Sequence, residues 1–142
     1  MIAQHYYGYA PHFTSLATVE EEYNRCLASV SRMRDLLHQS RQWLEPSTRI
    51  SMDEWNVWYA WYRPSSVTDG IYAALALHML MEEAEKSGVA LACHFQAVNE
   101  GMMCVKPDRV TLTAQGQVFS RMNRWHMGNR LCLSLIHISE PT

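Results

Sequence analysis

The sequence has no surplus of basic charge: 12 Lys and Arg stand against 14 Asp and Glu, for a net charge of -2. Binding to nucleic acid or to an acidic membrane surface needs a positive footprint, so neither partner is expected. Long hydrophobic runs are missing too. The stretch from Ile71 to Met81 is interrupted by His78 and stops at Glu82 and Glu83, well short of the ~20 residues that cross a bilayer. The four cysteines, Cys26, Cys93, Cys104 and Cys132, are far apart and form no Cys-x-x-Cys pair. That spacing argues against a disulfide framework and a zinc knuckle, and the thiols read as buried groups of a reducing compartment. Cys93 and His94 with Cys104 match no common zinc frame, so no metal is expected, and there is neither a Gly-rich phosphate loop nor a nucleophile elbow. No cofactor is expected. Charged residues make up only 18% against 48% hydrophobic, which rules out disorder and leaves 142 residues, enough for one domain.

What is abundant is aromatic. Five Trp and seven Tyr are unevenly spread, with a concentration between Trp55 and Tyr62, and local crowding of that kind suggests a binding cleft. Along the chain, Ile2 to Tyr7 reads as a strand and Gly8 to Ser15, with Pro11, as the loop after it. Thr18-Val-Glu-Glu21 is a capping box opening a helix whose apolar positions Tyr23, Cys26, Leu27, Val30, Met33 and Leu37 recur at helical spacing; Pro46 marks its end. Arg49 to Trp55 is a second strand and Tyr59 to Asp69 an aromatic loop. A helix from Asp69 to Ser87, stopped by Gly88, leads to a third strand, Val89 to Phe95, apolar enough to be covered on both faces. A third helix fits Ala114 to His126, capped by Thr113 and closed by Gly128. Strand and helix alternate three times, the pattern of βαβ units and a parallel sheet. An eight-fold barrel takes about 250 residues and carries its chemistry at the carboxyl ends of its strands. His5-Tyr6, Asp53-Glu54-Trp55 and Gln96 to Glu100 all fall at strand ends.

A carboxylate ending an apolar strand beside Trp and Asn suits a sugar site, because glycosidases work with carboxyl groups across the scissile bond and aromatic faces stack on sugar rings. Strict alternation would put Glu54 on the face of Met52 and send Asp53 to the other, so only one of the two should enter the site.

Asp53-Glu54-Trp55-Asn56-Val57-Trp58-Tyr59 resembles the nucleophile motif of the α-L-arabinofuranosidases of glycoside hydrolase family 51. Phe95-Gln96-Ala97-Val98-Asn99 is similar to that family's segment at the eighth strand, Leu112 to Phe119 to the run before its last barrel helix, and Ile2 to Gly8 to its sixth strand, which ends in His-Tyr or His-x-Tyr. The resemblance implies an α/β fold, about the last three βα units of a (β/α)8 TIM barrel, over residues 1–132. It implies a retaining hydrolase of terminal arabinofuranosyl groups on plant oligo- or polysaccharides. Glu54 matches the nucleophile. Tyr6 matches the tyrosine that donates to it, with Tyr7 the alternative if the register is off by one. Trp55 and Asn56 would shape the floor of the sugar subsite, Gln96 would hydrogen-bond the sugar, and Asn99 takes no assigned role. A related xylosidase or glucanase barrel, or a carbohydrate-binding relic without turnover, stays open. So does a homo-oligomeric full-length protein, cytoplasmic or exported.

The family's acid/base, a glutamate in an Asn-Glu pair on the fourth strand, would lie upstream of Met1, and its carboxyl-terminal β-sandwich has no counterpart here. The isolated chain is therefore expected not to turn over. Asn99-Glu100, also an Asn-Glu pair, falls after the nucleophile instead of three strands before it. Met1 is expected to be an internal methionine. Leu133 to Thr142 resembles the translation of a transposase adapter used in sequencing libraries, which would make residues 133–142 an artefactual tail. Three barrel strands alone would leave two open edges and a bare inner face, so the isolated piece is expected to aggregate or stay partly molten.

Overall fold

The computed structural model describes residues 1–8, 18–58, 65–126 and 128. Most of the expected Gly8 to Ser15 loop, the aromatic run Tyr59 to Pro64, Cys132 and the Leu133 to Thr142 segment lie outside the described residues. The elements in chain order are β1 (Ile2–Gly8), α1 (Val19–Trp43), β2 (Ile50–Val57), α2 (Val67–Lys86), β3 (Val89–His94), β4 (Met103–Lys106), β5 (Arg109–Leu112) and α3 (Ala114–His126). Among them, no helix is long and apolar enough to cross a membrane.

Local chemistry accounts for the boundaries. Thr18 Oγ1 accepts from the Glu21 amide at 3.2 Å while Glu21 Oε2 accepts from the Thr18 amide at 2.8 Å, so both halves of the expected box close α1. α2 begins two residues before the expected Asp69. Asp69 is an interior first-turn residue whose Oδ2 accepts from the Ser66 amide at 2.6 Å, and Ser66 is the cap. Gly88, at φ +74°, provides the left-handed turn between α2 and β3. Thr113 caps α3 by accepting from the Gly116 amide at 3.1 Å.

β1, β2 and β3 form one parallel sheet in sequence order, and α1 packs on α2 and α2 on α3. Repeated βα units winding in one direction produce this order. The core lies between helices and sheet: Val30, Met33 and Leu37 of α1, Tyr72, Ala76 and Met79 of α2, and Ile50, Met52, Trp55 and Val57 of β2. Glu83, buried on α2, ties the two helices together through His38 Nε2 at 3.0 Å and Arg34 Nε at 3.5 Å.

Two features differ from expectation. β3 is not covered on both faces: Val89 is buried, but Ala90 to Cys93 are exposed, Leu91 at 47%. β2 pairs with one of its edges, and no described residue pairs with the other. Cys93 is accordingly an exposed thiol and not a buried one. Secondly, an antiparallel hairpin, β4 with β5, follows β3. Its signal was present in Lys106-Pro107-Asp108-Arg109, a turn pair between two short alternating runs.

Candidate active site

The strand ends meet through a fault in the alternation of β2. Ala3 and His5 of β1 stand opposite Ser51 and Glu54, two steps against three, and Ala92 and His94 of β3 stand opposite Met52 and Trp55, again two against three. Both neighbours register one extra residue in β2 at Asp53. An inserted residue reverses the side-chain parity beyond it. Ile50 and Met52 face the helices before the fault, Trp55 and Val57 after it, and all four are in the helix-side core.

That reversal corrects three expectations. Glu54 does not share the face of Met52. Asp53 and Glu54 do not diverge, because one imidazole spans both: His5 Nδ1 is 3.6 Å from Glu54 Oε2, and His5 Nε2 is 3.8 Å from Asp53 Oδ1. Trp55 is not a subsite floor. It is 1% exposed and packs between Tyr72, His94 and Phe119, at ring-centroid distances of 6.5, 5.0 and 6.0 Å.

The tyrosine is corrected as well. Tyr7 Oη donates to Glu54 Oε2 at 2.8 Å, whereas Tyr6 Oη donates to the Ser29 carbonyl of α1 at 2.7 Å. The cause is again parity, since consecutive strand residues point to opposite faces and Tyr6 takes the helix side. Burial pushes the Tyr7 phenol above its usual value of 10, and accepting Glu54 and nearby Glu100 push it further the same way. It stays protonated, a hydrogen-bond donor to the carboxylate across the neutral range. Around this pair, the Tyr7 ring meets Trp58 edge-on at 5.3 Å and Phe95 at 6.4 Å, and both partners are partly exposed, at 43% and 38%. These two rings supply the aromatic surface expected of Trp55. Sequence reasoning passed over them because strict alternation gives no hint of the inserted residue.

Asn56 is 2% exposed, too buried to line a sugar subsite. Its Nδ2 donates to the Phe95 carbonyl at 2.7 Å and the Glu100 carbonyl at 2.8 Å. Its Oδ1 accepts from the Val57 amide at 2.7 Å and from Gln115 Nε2 of α3 at 2.8 Å. All four of its hydrogen-bonding positions are filled within the protein. Gln96 is exposed at the start of the loop that Asn56 clamps, and its side chain makes no hydrogen bond to a described residue. Asn99, at φ 62°, accepts the Val105 amide on its Oδ1 at 2.7 Å and fastens that loop to the hairpin. Next to it, Gly101 is held so close that a Cβ there would stand 2.3 Å from the Gln96 carbonyl oxygen and 2.4 Å from His94 Cε1. His94 itself is enclosed by Trp55 and Phe119, and burial pushes it down to about 4 from 6.5. Among the described residues, no cluster of His, Cys, Asp and Glu is arranged to hold a metal.

The arrangement presents one carboxylate with a fixed donor, a second carboxylate beside it, a bridging imidazole and two aromatic faces. It can hold an anionic oxygen nucleophile ready against an electrophile bound on the rings.

No protein-family model matches the chain, and no curated protein matches it. Solved structures do. The GH51 arabinofuranosidase from Xanthomonas axonopodis pv. citri is similar over 84% of this chain, at a TM-score of 0.72 and 24% identity. The α-L-arabinofuranosidase from Thermotoga maritima, in an arabinose complex, is similar over 82%, at 0.67 and 24%. The thermostable GH51 α-L-arabinofuranosidase from Thermotoga petrophila is similar over 68%, at 0.61 and 26%. The chain spans 28%, 24% and 22% of those three proteins respectively. The fold is therefore that of a segment of these glycoside hydrolases, in agreement with the resemblance carried by the strand-end motifs.

Proposed function

We propose that this chain is the carboxyl-terminal part of the catalytic barrel of a retaining α-L-arabinofuranosidase of glycoside hydrolase family 51, with Glu54 as its nucleophile. The observation that carries this reading is the Tyr7 to Glu54 hydrogen bond, 2.8 Å long, between the carboxyl-terminal halves of two neighbouring parallel strands. In the reaction, Glu54 attacks the anomeric carbon of a terminal arabinofuranosyl group, and the bond to the leaving oxygen breaks as that oxygen takes a proton from the acid/base. Water then attacks the glycosyl-enzyme, gives its proton to the same group and frees Glu54. Tyr7 donates to the Glu54 oxygen that does not attack, orienting the carboxylate. Trp58 and Phe95 offer apolar faces to the ring or its aglycone, and Gln96 supplies an exposed amide for the sugar hydroxyls.

Asp53 does not serve as the acid/base. It adjoins Glu54 on the same strand and lies beside the same imidazole, whereas the mechanism needs one carboxyl group on each side of the scissile bond. That group comes from a residue outside this chain, and the isolated chain does not turn over. The exposed edge of β3 supports the same reading, because in a closed barrel a further strand would cover it. In the intact protein, Glu54→Gln should abolish hydrolysis of an aryl α-L-arabinofuranoside while wild type releases the retained anomer. Unimpaired turnover by that variant, or an inverted product, would overturn the proposal.

A further inference from the structure

We infer that Gln115 is a positioning residue: through Asn56 it sets the sugar-facing loop that begins at Gln96, although it lies on α3 and not on the strands that carry Glu54 and Tyr7. The inference rests on the function proposed above.

An amide side chain can be turned end for end with little change in shape, so something must decide which end of Asn56 faces the loop. The Val57 amide can only donate, which makes the end facing it the oxygen, and Gln115 Nε2 supplies that oxygen's second donor and holds it in place. The nitrogen is then the end that faces the Phe95 and Glu100 carbonyls. Those carbonyls bracket Gln96 to Asn99. Asn56 is two residues beyond Glu54 on β2, so this contact ties the loop to the strand that carries the nucleophile. Gln115 is 0% exposed, and the adjoining Gly116 lies so close to the Met102 carbonyl that a Cβ would stand 2.0 Å from its oxygen. The start of α3 is thereby seated against the far end of the same loop, where Thr113 Oγ1 also bonds the Gly101 carbonyl. Buried polar groups satisfied at every position define one arrangement, and reversing any single donor leaves like groups facing each other.

The test uses the intact protein. Gln115→Glu sets a carboxyl oxygen against Asn56 Oδ1; Asn56→Asp keeps the oxygens that accept from Gln115 and Val57 but removes the donors to the loop. Both should raise KM for an aryl α-L-arabinofuranoside by about tenfold or more while kcat stays within about threefold, because a contact equal in ground and transition states appears in KM alone. Gln117→Glu, the same change at an exposed position of α3, should leave both constants unaltered and controls for added charge. An unchanged KM in either Gln115→Glu or Asn56→Asp, or a loss confined to kcat, would overturn the inference; if Gln115→Glu does not fold, Gln115→Met, which removes the donor to Asn56 without adding charge, takes its place and should raise KM in the same way. Turnover surviving in Glu54→Gln would instead sink the functional reading, so the two failures are separable.

Discussion

Replacing Tyr7 by Phe removes one hydroxyl and leaves the ring against Trp58 and Phe95. The lost hydrogen bond, 2.8 Å to Glu54 Oε2, has a carboxylate as acceptor, and such bonds are worth about 1.5–3 kcal/mol. Because Tyr7 is only partly buried, water can replace part of the loss, which puts the effect at the lower end. About 1.5 kcal/mol is roughly tenfold in rate. The matched perturbation is Tyr6→Phe, which removes a neutral bond to the Ser29 carbonyl at 2.7 Å, worth about 1 kcal/mol of stability. Steady-state kinetics on an aryl α-L-arabinofuranoside and urea denaturation of the intact protein separate the two. Tyr7→Phe should lose about tenfold in kcat/KM, and Tyr6→Phe should lower the denaturation midpoint with kcat/KM within about threefold. A larger kinetic loss in Tyr6→Phe than in Tyr7→Phe would refute the assignment of the two faces.

His94, held at about 4 in the fold against 6.5 when unfolded, makes the unfolded state bind the extra proton between those values. Its contribution to stability is complete above about pH 6.5 and is lost as the pH falls toward 4, up to about 3 kcal/mol; His94→Phe should flatten that slope in denaturation curves, and an unaltered slope would contradict the burial argument. Gly101→Ala must move the Gln96 carbonyl or the His94 ring and should cost about 1–3 kcal/mol by the same assay, so an unchanged midpoint would deny the close packing. Trp55→Ala should destabilise by about 3–5 kcal/mol, whereas Trp58→Ala should raise KM with little change in stability; the reverse pattern would return Trp55 to the sugar site.

Much of the fold was legible because it depends on local signals. The Thr18 to Glu21 box, the spacing from Cys26 to Leu37 and the turn at Gly88 each predict an element that the structure contains. Helix spacing survives a residue of error, and strand parity does not. A single extra residue at Asp53 turned Trp55 inward and brought both carboxylates to His5. Nothing in Ile50-Ser-Met-Asp-Glu-Trp-Asn-Val57 announces that insertion, since it appears only when β2 is laid against its neighbours. The same limit applies to Tyr6 and Tyr7, whose adjacent phenols differ only in the face they take. Asn56 was legible as a polar residue of the strand-end motif but not as a buried clamp, because its partners come from Phe95, Glu100 and Gln115, far along the chain.

If Glu54 is the nucleophile, it is the residue that forms the covalent bond to the sugar. Incubating the intact protein with an activated arabinofuranoside whose glycosyl-enzyme breaks down slowly, then mapping the adduct by peptide mass spectrometry, tests it directly. A pentosyl adduct on Glu54 is the predicted result, absent in Glu54→Gln. An adduct on another carboxylate, or hydrolysis proceeding with retention in the Glu54→Gln protein, would contradict it.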